Sequence, residues 1–356
     1  MKFITKIDFS IVFISLLLSL SGIFLLKSFL PENRLFLVKR QILWLIISLS
    51  AMVVFTLIDY RKLVKISGLL YGGFLFALIF LLIKGAKIAG TTSWIKVGSF
   101  SFQPSEIGKV ITALFLARLF SDSANFPLSL KELIKAFVVV GNPVLLIFLQ
   151  PDMGTAFIYV SLLLTLFALK GVKKIHFRVL LLIGIFLAIS GWFFLLKDYQ
   201  KTRIISFINP SSQPKGAGYQ VYQSRIAIGS GGIFGKGYGM ATQAKRRFLP
   251  AAHTDFIFSV FAEQFGFIGT FFLLLLYLYL FIRMLRISAL SYDNRGVMLG
   301  CLLTGWVAFQ TFMNVIICLG MFPVAGFPLP FLSYGGSSLL SSFVSIGIIN
   351  SILVWR

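Results

Sequence analysis

Charge is what this chain has least of. Only 12% of its 356 residues are charged, and Asp and Glu together number eleven. Soluble domains carry roughly twice that charged fraction, which excludes an ordinary water-soluble fold. Cysteine is almost absent too. Cys301 and Cys318 fall 17 residues apart in one predicted helix, about 25 Å at 1.5 Å per residue, so they cannot bridge and read as apolar residues. The first apolar run has no small-residue cleavage site and leads straight into further runs, so it reads as a span and not as a removable signal.

What is present is hydrophobic: 58% of the residues, with a mean hydropathy of +0.94. A helix crosses a bilayer with about 17–25 residues. Candidate spans lie near 10–29, 41–58, 66–83, 105–120, 136–149, 153–169, 177–196, 256–282, 297–319 and 332–353. The two runs around Pro151 also read as one re-entrant element, so hydropathy allows nine or ten crossings. The expectation is an all-α polytopic membrane protein of about ten helices, one integral membrane domain over 1–356. A large external loop, 197–254, joins helices 7 and 8.

The net charge of +22 is spread between spans and not gathered on one domain, which argues against a nucleic-acid partner. Ten spans put both termini on one side. Short loops on that side hold sixteen Lys and Arg, among them Lys2, Lys6, Arg61, Arg283, Arg295 and Arg356, against seven on the other. The positive-inside rule makes the terminal side cytoplasmic and places 197–254 outside.

With so few carboxylates, each can be placed. Asp8, Asp59, Asp122, Glu132 and Asp293 fall beside basic residues at cytoplasmic ends, and Glu32 and Asp198 in external loops; all seven read as solvated. Glu106, Asp152, Asp255 and Glu263 lie at or just inside the outer face, where ionisable groups are costly and default to functional hypotheses. Glu106 has Lys109 three residues on, a spacing that suits an ion pair or a shared substrate contact. Asp152 follows Pro151 and either caps the next helix or joins a site. Glu263, eight residues past Asp255, lies about 12 Å deeper on a straight helix and reads as a buried structural partner.

Asp255 stands in AAHTDFIFSV (251–260) at the entrance of a span. In the first turn, behind a Thr254 cap, the helix dipole favours its ionised form, while low dielectric opposes it. That balance suits a general base, though simple capping explains the placement as well. The external segment adds Lys201, Arg203, Lys215, Arg225, Lys236, Lys245, Arg246 and Arg247 against one carboxylate, Asp198. Such a surface suits a lipid headgroup or a diphosphate. Within it GSGGIFGKGYG (229–239) superficially looks like a nucleotide loop, but Gly237 stands where a Walker loop needs Ser or Thr. The glycines instead allow tight turns or close backbone approach. YQVYQSRIAIG reads as a short amphipathic element at the interface.

Five stretches in order, FQPSEIGK (102–109), QPDMGTAF (150–157), YQVYQSRIAIGSGGIFGKG (219–237), FLPAAHTDFIF (248–258) and PLPFLSYGGSS (328–338), are similar to the SEDS polymerases of bacterial cell-wall synthesis, the RodA/FtsW/SpoVE group. The resemblance covers essentially the whole chain, and QSRIAIGSGG with Thr242 and Gln243 looks most like the RodA branch. It implies a ten-helix peptidoglycan glycosyltransferase of the bacterial cytoplasmic membrane. Such an enzyme polymerises lipid II, an undecaprenyl-diphosphate disaccharide-peptide, into glycan strands at the outer face during cell elongation. The implied partners are a class B penicillin-binding protein that crosslinks the strands, the nascent strand itself and membrane lipids.

The resemblance makes Asp255, the carboxylate of the HTD stretch, the essential catalytic residue. Candidate substrate contacts are Trp94, Arg40, Gln103, Glu106, Lys109, Asp152, Gln223, Ser224, Arg225, Lys245 and Ser333. No metal ligand is assigned, and a divalent cation, Mg or Mn, is left open as cofactor. Ser93, Ala251 and Gln264 stand where relatives carry Arg, Glu and Glu, which weakens a metal assignment more than the catalytic one. Rival readings are a lipid flippase, a scaffold without chemistry of its own, and a division or sporulation relative. Against a flippase stand the lack of an internal repeat and an acid at the outer surface, away from the midplane where transporters bind.

Overall fold

The computed structural model describes residues 6–88, 91–98, 100–123, 125–195, 201, 205 and 217–356. Lys2, Asp198, Arg203 and Lys215 lie outside the described residues.

Ten helices follow the apolar runs: α1 (Phe9–Phe29), α2 (Phe36–Leu57), α3 (Tyr60–Lys84), α4 (Pro104–Phe120), α5 (Leu130–Leu149), α6 (Met153–Lys170), α7 (Lys174–Ser190), then α9 (Ile257–Ala289), α10 (Asn294–Cys318) and α11 (Gly336–Val354). Between α7 and α9 lies α8 (Ala217–Ser230). Nine helical segments among the described residues are long and apolar enough to span a bilayer. The tenth, α4, has 17 residues, at the lower limit of about 17 for a span. The runs on either side of Pro151 are two separate helices, not one re-entrant element. Cys301 and Cys318 are both in α10 and free.

The acids expected to be solvated at the terminal face do structural work. Asp8, Asp59 and Asp293 cap α1, α3 and α10, and Glu132 forms a capping box with Ser129 at α5. Each helix start has unpaired amides and a positive dipole end that a carboxylate satisfies. Only the Asp122–Arg295 pair, 2.6 Å apart, is largely exposed.

The bundle centres on α11, buried along nearly all its length. Its many Ser and Gly residues let neighbours approach closely, as interfaces between membrane helices require. A Cβ on Gly336 would lie 2.1 Å from the Trp44 ring of α2, and one on Gly347 would lie 2.5 Å from the Met52 carbonyl oxygen. Phe13, Leu69, Phe76 and Ile83 point outward and are exposed, as side chains facing lipid are.

The structure departs from the all-α expectation in the α3–α4 connection. There β1 (Ala86–Ile88), β2 (Thr91–Val97) and β3 (Phe100–Phe102) form an antiparallel sheet in the order β1-β2-β3. Thr92 N donates to Gln150 O at 3.3 Å, tying the sheet to the end of α5. TTSWIKV supplies the β-branched and aromatic residues strands favour, but three strands this short have no hydropathy signature of their own.

The second departure is in α9, which is not straight. Gly266 has φ 66° and ψ −164°, and the helix breaks there. The glycine stretch fills the break: Lys236 N and Gly237 N donate to the carbonyls of Glu263 and Gln264, while Phe267 N and Ile268 N donate to those of Gly232 and Ile233. Backbone lies directly on backbone. A Cβ on Gly231 would meet Ala262 O at 2.1 Å, and one on Gly235 would meet Gln264 O at 2.2 Å. The break lies beyond Glu263, which takes the structural role expected of it: Glu263 is fully buried and accepts from Lys236 Nζ at 2.7 Å, Thr242 Oγ1 at 2.7 Å and Thr242 N at 2.9 Å.

Candidate active site

At the end of the bundle opposite the termini, the first turns of α4, α6 and α11 and the turn before α9 face one cavity of about 750 Å³. Trp94 of β2, Gln103, Glu106, Asp152 and Asp255 line it, so five of the twelve residues singled out in the sequence come together. Glu106, Asp152 and Asp255 are the charged lining residues among those described; no Lys, Arg or His joins them.

Asp152 caps α6, accepting from Thr155 N at 3.2 Å, and its Oδ2 also accepts from Gln103 Nε2 at 2.5 Å, Thr155 Oγ1 at 3.0 Å and Ser93 Oγ at 3.3 Å. Capping and site membership thus coexist. Burial pushes its carboxyl above the usual range, against the pull of the Thr155 donors. Glu106 is paired with Lys109 at 2.8 Å. Lys109 is wholly buried behind the cavity wall, also donates to Gln310 Oε1 at 2.8 Å, and lies 4.4 Å over the Trp306 ring. It supports Glu106 from behind and does not line the cavity.

Asp255 is not in the first helical turn. The α9 cap is Phe256, and Thr254 Oγ1 donates back to Ala251 O at 3.3 Å and does not cap the helix. The stretch is a turn, held by its carbonyls: Tyr334 N donates to His253 O at 2.9 Å, Ser333 Oγ to Thr254 O at 2.6 Å, and Asn314 Nδ2 to Asp255 O at 2.7 Å. The half-buried Asp255 side chain reaches toward Gly326, whose Cβ, if present, would be 4.0 Å from Oδ2. His253 packs near the Tyr334 ring, with its centroid 5.8 Å away, and burial reinforced by the Arg34 charge pushes its imidazole below the usual value.

The remaining predicted residues lie elsewhere. Ser333 clamps the Thr254 backbone. Arg40 is one step outside the lining, hydrogen-bonded to Tyr334, which does line it. Ser224 is buried between helices, 2.6 Å from both Ser259 Oγ and Cys318 O. Gln223, Arg225 and Lys245 are outside the lining, the two cations exposed. The sequence reading missed Gln220 and Tyr334. Had YQVYQSRIAIG been read as a helix, the i, i+4 spacing of Gln220 and Ser224 would have put Gln220 on the buried face.

No group of three or more His, Cys, Asp or Glu among the described residues can hold a metal, and Asp152 Oδ2 already accepts three hydrogen bonds. The carboxylates here do not form a cation cage.

The carbonyl clamps make a testable claim. Asn314→Ala and Ser333→Ala each release one peptide of the turn, and a misplacement of about 1 Å at a reacting group costs on the order of 10²-fold. The expected result is a fall in turnover with little change in the substrate concentration for half-maximal rate; a shift in the latter alone would mean these residues bind substrate.

The chain matches the cell cycle protein family FtsW/RodA/SpoVE over residues 2–356. It is 41% identical over 274 residues to the peptidoglycan glycosyltransferase MrdB of Escherichia coli (strain K12), covering 76% of this chain and 73% of that protein. It is 35% identical over 360 residues to stage V sporulation protein E of Bacillus subtilis (strain 168), covering 98% and 97%. Among solved structures, a chain from work on the structural coordination of polymerization and crosslinking by a peptidoglycan synthase complex superposes with a TM-score of 0.84 at 27% identity, covering 98% of this chain and 97% of that one. The rod shape determining protein RodA of Thermus thermophilus gives 0.72 at 27% identity, covering 98% and 96%. With the family pattern running from residue 2 to residue 356, this chain belongs to the FtsW/RodA/SpoVE family.

Proposed function

We propose that this protein is a peptidoglycan glycosyltransferase that polymerises lipid II, working in cell elongation beside a transpeptidase that crosslinks the product. The observation that carries the reading is the single cavity in which Asp255, the acid of the HTD stretch, lies among helix beginnings at the end away from the termini. The loop charges favour the terminal side as cytoplasmic, which puts this cavity outside, where glycan strands are assembled. The 41% identical relative is named a peptidoglycan glycosyltransferase, and the structural neighbour comes from a synthase complex that couples polymerization to crosslinking.

In this mechanism Asp255 takes the proton of the acceptor sugar's 4-hydroxyl. The freed oxygen pair attacks the anomeric carbon of the donor, inverting it, and the bond to undecaprenyl diphosphate breaks with its electrons leaving on the diphosphate. Preorganised donors stabilise such developing charge at no reorganisation cost. The start of α11 carries no side-chain cap, so its first amides are available as donors toward the cavity.

The test is polymerisation of labelled lipid II by the purified protein, with and without its partner. Glycan ladders from the protein are the expected result. Movement of lipid II across a liposome bilayer without polymer would replace the reading with a flippase, and polymer made only by the partner would leave a scaffold.

A further inference from the structure

A second cavity lies at the other end of the bundle, among residues the glycosyltransferase reading does not use. It measures about 640 Å³ and is lined by Lys6, Asp8, Phe9, Arg283, Tyr292 and Arg356, with Leu353 beside them. Asp8 joins its walls. Asp8 Oδ1 accepts from Ser10 N at 2.9 Å and Ile11 N at 3.3 Å, and Oδ2 from Arg283 Nε at 2.7 Å and Nη2 at 2.6 Å. Asp8 N donates to Asn350 Oδ1 at 3.0 Å, so α1, α9 and α11 are locked together here.

The only carboxylate side chain in the lining is therefore fully engaged, by two helix amides and one guanidinium. Three cations share the cavity with it, and among the described residues Lys6 and Arg356 enter no ion pair. The Arg356 guanidinium rests 4.7 Å over the Tyr292 ring. The start of α1, capped by Asp8, borders the same space. Next to it runs an apolar track: Phe9, Phe13, Leu17 and Leu20 are all exposed along one face of α1.

We propose that this cavity binds the phosphate headgroup of an anionic phospholipid, with the acyl chains lying along the Phe9–Phe13–Leu17–Leu20 face of α1. Basic pockets between membrane helices recognise such headgroups. Scattered cations that only orient the chain in the membrane need no shared cavity, no fixed aromatic rest and no saturated acid. The continuous apolar track favours a lipid over a free phosphate ion, which would gain nothing from it.

Native mass spectrometry of the purified protein, titrated separately with phosphatidylglycerol, phosphatidylcholine and inorganic phosphate, tests this. One phosphatidylglycerol is expected to bind in preference to phosphatidylcholine. A cation near an anionic headgroup is worth about fivefold in affinity, equivalent to about 1 kcal/mol, so Lys6→Ala with Arg356→Ala should weaken phosphatidylglycerol binding about 30-fold. Phosphatidylcholine binding should not change. Lys6→Arg with Arg356→Lys keeps the charges and should retain binding, which separates lost charge from lost fold. Equal retention of the two lipids, an unchanged double Ala variant, or displacement of lipid by equimolar inorganic phosphate would each overturn the proposal, the last identifying a soluble-anion site.

Discussion

Asp255→Asn should abolish lipid II polymerisation and leave the protein folded. Removing a positioned general base typically costs about 10²–10⁴-fold. The fold should survive because the turn is held by its main chain: Tyr334 N, Ser333 Oγ and Asn314 Nδ2 bind the carbonyls of residues 253, 254 and 255, and the substitution touches none of these bonds. Steady-state polymerisation, with a thermal unfolding trace of the same preparation, reads both halves. An Asn variant that polymerises within about threefold of the parent, far less than the loss of a base predicts, would end the base assignment.

Gly266→Ala should cause the largest loss of stability. The φ of 66° and ψ of −164° lie in a region essentially reserved for glycine, where another residue costs about 1–3 kcal/mol. The new Cβ would also lie 2.2 Å from Gly235 N and 2.6 Å from Ile233 O, an overpacking worth about a further 1–3 kcal/mol. Neither obstacle is a flexible side chain that could swing away. Gly141→Ala in α5 is the control, since a Cβ there meets nothing within 4 Å, and Ala is the better helix former by about 1 kcal/mol. Thermal unfolding in detergent should fall sharply for the first and hold or rise for the second. Equal behaviour of the two would show that the seam between the glycine stretch and α9 contributes little.

The glycine stretch shows where sequence reading stops. GSGGIFGKGYG announces close approach of backbone to something, and the Gly237 substitution of the Walker pattern rules out a nucleotide. Nothing local says that the partner is the chain's own backbone thirty residues on. The cations show the same limit from the other side. Arg225 and Lys245 stand in or beside motif-matching stretches, yet both are exposed and outside the cavity lining, because a position in a motif does not specify which way a helix face turns. Five acids at the terminal face were expected to be solvated, whereas four of them cap helices or complete a capping box. Their position just ahead of apolar runs already carried that signal.

The sequence by itself determined the apolar runs that become the membrane helices, and its loop charges set the expected sidedness. Each of these follows from short-range properties, since transfer of side chains out of water and the loop-charge bias need only neighbours along the chain. Only the tertiary structure decided that Asp152, Glu106, Asp255 and Trp94 share one cavity, that α9 breaks at Gly266, and that Asn314 and Ser333 hold the turn carrying Asp255. These arrangements consist of hydrogen bonds between groups tens to hundreds of residues apart. In an apolar interior every backbone donor and acceptor must be paired, so which distant partner satisfies each one is settled only when the helices are packed.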